Sequence, residues 1–179
     1  AALTSSQVAA LSAAAIKTVD SAELALFSTD ELAAINVKAL AGLEASALAG
    51  ITTAAIAALG SKQVGALTST QLNALSSGQL TALTSGQIAG LSAKQVATIS
   101  STQIAALSTG QIAGLSSAQI GALNSSQAAA LSTAQVAALT SSQVAALSAA
   151  VVKTLDAAEM ALFSTDELAA INVKALAGL

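Results

Sequence analysis

The sequence predicts an all-α fold, a solenoid of very short helices with one helix per eight-residue repeat and nearly equivalent repeats related by a screw operation. Three observations predict it. An eight-residue phrase recurs without insertion or deletion. Its second and fifth positions hold the residue types of a helix N-cap and capping box. Its first and sixth positions are large and aliphatic.

The phrase is plainest in "LSTAQVAALTSSQVAALS" (Leu131–Ser148). Counted from Leu3, the 179-residue chain divides into 22 octads ending at Gly178, and Leu179 opens the next. They are numbered from octad 1 (residues 3–10) to octad 22 (residues 171–178). Eight residues fit no continuous helix, because at 3.6 residues per turn an apolar stripe rotates by about 80° per octad. They fit no strand either, because positions one and six have opposite parity and would face opposite sides.

The second position resolves the conflict. It is Ser, Thr, Asp, Asn or Gly in 21 of 22 octads, with Glu44 the exception. These residues cap helix N-termini. Three residues on, position five is Gln or Glu in 16 of 22 octads, which completes a capping box. Position one then precedes the cap and position six is the fourth helical residue, the two partners of a hydrophobic staple. Position one is always Leu, Ile, Val or Phe; position six is Leu, Ile, Val or Met except at Ala128. Each octad therefore starts a helix of about one and a half turns. Such a helix is far below the ~12–15 residues that persist alone. Stacked octads must share apolar faces, and the Ala and Gly of positions seven and eight let backbones approach, as in other solenoids. Leu107, Ile112, Leu115 and Ile120 are expected among the most buried residues, and Ser101 and Thr109 among the more exposed.

A second period overlies the first. Residues 1–43 return as residues 137–179 with five changes, all between small or apolar residues. The second copy begins 17 octads after the first. No linker interrupts the register, so residues 1–179 read as a single continuous array. The chain opens in mid-pattern and reads as an excerpt of a longer one.

Composition limits the chemistry. Net charge is −3, charged residues are 8%, and Cys, His, Trp, Tyr, Pro and Arg are absent. This argues against nucleic acid, which calls for clustered basic residues, and against membrane insertion, since Ser, Thr, Gln or Asn interrupts nearly every octad. Without His or Cys no Ser–His or Cys–His nucleophile can form. Lys17, Lys38, Lys62, Lys94, Lys153 and Lys174 have Ser or Thr neighbours, but an array singles out no residue for a special environment. No enzymatic activity, catalytic residue, cofactor or metal is expected. Asp20, Glu23, Asp30 and Glu31, repeated as Asp156, Glu159, Asp166 and Glu167, could suggest a calcium site. Every one of these acids also has a place at a cap, a capping box or the first turn of a helix. The row of Ser, Thr and Gln reads as outward-facing, either merely the solvated face of the caps or a ladder of hydroxyls and amides facing a glycan, a cell surface, another solenoid or ice.

The stretches "ALTSSQ" (Ala2–Gln7, Ala138–Gln143), "ALTSTQ" (Ala66–Gln71), "ALTSGQ" (Ala82–Gln87) and "ALSTAQ" (Ala130–Gln135) resemble the ALTTAQ-like octapeptide tandem repeats of large bacterial secreted or cell-surface, adhesin-like proteins. The resemblance implies an extracellular fibre, stalk or filament segment and transfers no site residues. Ala15, Ala39, Ala47, Ala55 and Ala175 depart from it at position five. The function expected is structural, with self-association end to end. The alternative is a binding solenoid whose Ser/Thr/Gln-rich face meets a glycan.

Overall fold

A computed structural model describes residues 3–176, the side chain of residue 174 excepted. Residues 1, 2 and 177–179, which include the close of octad 22 and Leu179, lie outside the described residues. Each octad contains one helix of four to six residues, from Ser5–Ala9 to Val173–Leu176, and the described residues hold 22 helices and no strand. The all-α fold with one helix per octad is thus as the caps predict.

The chain divides into two compact units, residues 1–91 and 92–179, built alike. In the first, helix Ser5–Ala9 packs on Thr29–Ala34, Ala13–Ile16 on Val37–Leu40, and Ser21–Leu24 on Ala45–Ala49. In the second, Ala93–Val96 packs on Ser117–Gly121 and Ser141–Ala145 on Thr165–Ala170. The partner is always the third helix along. A turn within each unit therefore takes three octads and stacks on the turn before.

Caps and corners make this path. Ser108 Oγ accepts from Gln111 N–H at 3.1 Å while Gln111 Oε1 accepts from Ser108 N–H at 2.8 Å. The same reciprocal pair recurs at Thr4, Ser28, Thr84, Asp156 and elsewhere. Two successive extended residues then redirect the chain, as at Leu75 (φ −65°, ψ 139°) and Ser76 (φ −69°, ψ 158°). No described residue has positive φ, so the corner needs no glycine.

Positions one and six form the core. Ile112 and Ile120 are fully buried, with Leu107 and Leu115 nearly so. Thr109 is exposed as expected and Ser101 is half-buried. Position two is exposed throughout except at half-buried Ser148. Burial also gives the stack a direction. In the first turn position six is covered (Val8, Ile16, Leu24), whereas position one is not: Leu3 is 40% exposed, and Leu11 and Val19 are half-buried. In the last turn of the second unit Met160, Leu168 and Leu176, all at position six, are half-buried. A turn thus offers position one to the turn before it and position six to the turn after.

Small residues at positions seven and eight set the turn spacing. A Cβ on Gly65 would stand 2.6 Å from the Gly90 carbonyl oxygen, and one on Gly121 2.8 Å from that of Ala146. Gly86, at exposed position four, has nothing within 4 Å of such a Cβ. Gly65→Ala should therefore cost about 1–3 kcal/mol by forcing two turns apart. Gly86→Ala, inside helix Ser85–Ala89, should gain about 0.5–1 kcal/mol of helix propensity. Opposite shifts of the two denaturation midpoints check this.

Candidate functional site

The residue that the sequence places in the capping box makes a second set of bonds, and these join turns. Gln63 Oε1 accepts from Gly60 N–H at 2.7 Å, closing its own helix start. Its Nε2 donates to the carbonyls of Leu32 at 3.0 Å and Ile35 at 2.9 Å. These lie 31 and 28 residues back, at position six of one octad and position one of the next. Gln71 repeats this with Leu40 and Leu43, and Gln79 with Leu48, Ala49 and Ile51. Gln87 donates to Ala57 and Leu59. In the second unit Gln127 donates to Val96 and Ile99, Gln135 to Ile104 and Leu107, and Gln143 to Ile112 and Leu115.

The chemistry is specific to an amide. Positions one and six sit where a short helix ends and the next has not begun. The position-six carbonyl takes the next position-one N–H, as Leu32 O does from Ile35 N–H at 3.2 Å, whereas Ile35 O has no backbone donor among the described residues; both lie at a helix terminus, held away from water by the aliphatic core. Gln supplies an acceptor for the cap and two donors for these carbonyls from one side chain. Such satisfaction is what permits burial of polar groups. Gln63, Gln71, Gln79, Gln87, Gln103, Gln111, Gln119, Gln127, Gln135 and Gln143 are all buried.

This corrects the outward-facing row of Ser, Thr and Gln. Ser and Thr of position two are outside, but from Gln63 to Gln143 the glutamines, half-buried Gln95 apart, are inside, because the turn before covers position five. Gln7, with no described turn before it, is exposed. A signal for this was present. A capping box accepts Glu as readily as Gln, yet the eleven octads from Gln63 to Gln143 use Gln alone.

All nine acids fall within residues 20–44 and 156–167, where the structure gives them local roles. Asp20 and Asp156 cap helices, and Glu23, Glu31, Glu159 and Glu167 close capping boxes. Asp30 and Asp166 lie in first turns. Glu44 caps with no side-chain bond, and its carboxylate instead stands 3.9 Å from Lys17 Nζ. Exposed as both are, that pair contributes at most about 1 kcal/mol. Among the described residues no three acids converge as a metal site would require. Lys17, Lys38, Lys62, Lys94 and Lys153 are exposed; the side chain of Lys174 lies outside the described residues. No described helix is long and apolar enough to cross a membrane.

Glu167 differs from the glutamines in what it can do. Its Oε2 accepts from Ser164 N–H and Oγ–H, both at 2.9 Å, and its Oε1 accepts from Ser141 Oγ–H at 3.0 Å on the preceding turn. The Ser164 backbone bond, then the Ser164 and Ser141 hydroxyls, hold its carboxyl below the ordinary glutamate value of 4.5. Because the folded-state value is depressed, the stabilisation is complete above the ordinary value and is lost as pH falls through the folded one. In Ser141→Ala the Glu167 midpoint, read from its side-chain carboxyl resonance, should move up toward the ordinary value; an unchanged midpoint would argue against the bond.

The ALTTAQ repeat matches residues 40–77, 56–93, 73–109, 96–133 and 118–149, together covering 40–149. The chain belongs to the ALTTAQ repeat family. The matched span is the acid-poor part of the chain and holds every buried glutamine. The repeat's characteristic Gln is therefore the residue that couples one turn to another. No curated protein matches the chain.

Proposed function

We propose that this ALTTAQ chain is a structural segment, a fibre, stalk or filament, of a large bacterial secreted or cell-surface protein, working outside the cell. We further propose that its turns add end to end, either within one longer chain or between chains. The reading rests on one observation. Within each unit every turn meets the next through the same parts: position one before it, position six after it, and small residues between. The first turn of the first unit leaves Leu3, Leu11 and Val19 uncovered, and the last turn of the second unit leaves Met160, Leu168 and Leu176 so. These are the surfaces that interior turns bury. Contacts of this head-to-tail kind do not close on themselves and generate open filaments.

The proposal assigns the chain no catalysis. Burial of the glutamines takes the amides from that face and leaves it hydroxyls, those of position two, most of which already serve as caps, and those of position three, such as exposed Thr109. Light scattering and electron microscopy at rising protein concentration test the proposal, with fibres expected. A species that stays monomeric at millimolar concentration would overturn end-to-end stacking. Saturable glycan binding without fibres would replace it with the alternative.

A further inference from the structure

The turn junctions are of two kinds. From Gln63 to Gln87 in the first unit, and from Gln127 to Gln143 in the second, a side-chain amide ties each octad to the turn before. At Ala39, Ala47 and Ala55, and at Val151, Glu159 and Glu167, position five carries no donor. The carbonyls of Leu11, Val19 and Phe27, which a glutamine at those alanines would meet, receive no donor among the described residues. Where position five is glutamate, a carboxylate takes the amide's place and cannot donate to the carbonyls of the turn before.

The core registers the difference. Leu131 and Leu139 hold, relative to Glu159 and Glu167, the place that Leu43 holds relative to Gln71. They are 7% and 8% exposed, whereas from Ile35 to Leu123 no position-one residue exceeds 4%. Leu123, which holds the same place relative to Val151, is 3% exposed, so the loosening follows the carboxylates rather than the mere lack of a glutamine. Ser148, in the octad of Val151, has a buried hydroxyl without a partner.

We propose that the octads with glutamate at position five form a soft band in each 17-octad block, one that opens reversibly before the glutamine-tied turns do. In a long array such bands would recur once per block and yield first under load, while the tied stretches stay folded. Regions with fewer buried bonds open at lower free energy; the band lacks the buried amide donations to the turn before and keeps only an exposed bond there, from Ser141 Oγ–H to Glu167 at 3.0 Å.

Amide hydrogen exchange on the full chain tests this. Position-six amides of octads 20 and 21 should exchange faster than those of Ile104 to Val144. Fraying at a chain end would give the same ordering, so a double variant decides. Glu159→Gln with Glu167→Gln keeps side-chain size and restores donors toward the Ala128, Leu131, Val136 and Leu139 carbonyls. It should slow exchange in octads 20 and 21 by about tenfold. Asp166→Asn removes a charge from the same helix at exposed position four and should not. Conversely, Gln135→Glu should speed exchange locally in octads 13, 14 and 17. Exchange that is uniform along the wild-type chain, or that responds equally to the double variant and to Asp166→Asn, would overturn the proposal.

Discussion

Gln71→Glu should be among the most damaging single changes in the chain, although it alters one atom and keeps the capping box. The new carboxylate still accepts from Thr68 N–H, as Gln71 Oε1 does at 2.8 Å. What it loses is the donation from Nε2 to Leu40 O at 2.9 Å and Leu43 O at 2.7 Å. Leu43 O then goes unsatisfied, Leu40 O keeps only the Leu43 N–H at 3.1 Å, and a negative charge faces both. Gln71 is 2% exposed, so water cannot take over. An uncompensated buried charge costs about 3–5 kcal/mol. Burial and the carbonyl dipoles should raise the folded-state pKa of the introduced acid. The loss is then greatest at neutral pH and is relieved as pH falls through that raised value, where the protonated acid regains a donor. Denaturant unfolding at pH 7 and pH 4 reads both effects. An equal loss at the two pH values would show that the amide's donors are not what matters.

Ile112→Ala should cost about 2–5 kcal/mol, the usual penalty for emptying a fully buried aliphatic site. Ile112 is fully buried at position six, the position that meets the turn after it. The backbone around Gly121 already sits against Ala146, so the site has little freedom to collapse. Ser108→Ala, in the same octad, should cost only about 0.5–2 kcal/mol. It removes one acceptor from Gln111 N–H, while Gln111 Oε1 still takes the Ser108 N–H. Comparable unfolding midpoints for the two variants would refute a division in which caps set where helices start and the aliphatic pair supplies the stability.

Everything that depends on spacings of a few residues was legible in the sequence. The cap at position two, its partner three residues on and the staple between positions one and six are local contacts. A single octad carries all of them, and the helices appear where those contacts put them, from Ser5–Ala9 to Val173–Leu176. The buried rows of positions one and six follow from the same staple.

The number of octads per turn was not legible. It depends on how far the extended residues of a corner, such as Leu75 and Ser76, swing one helix from the last, and no single residue type encodes that angle. The direction of the glutamines was hidden for the same reason. Read locally, Gln111 is complete as a capping box. Only when three octads close a turn do carbonyls distant in the chain, such as Leu40 O and Leu43 O for Gln71, arrive at the other end of a position-five amide. Local backbone chemistry thus decided where each helix begins, and the stacking of one turn on another decided which side chains would join them.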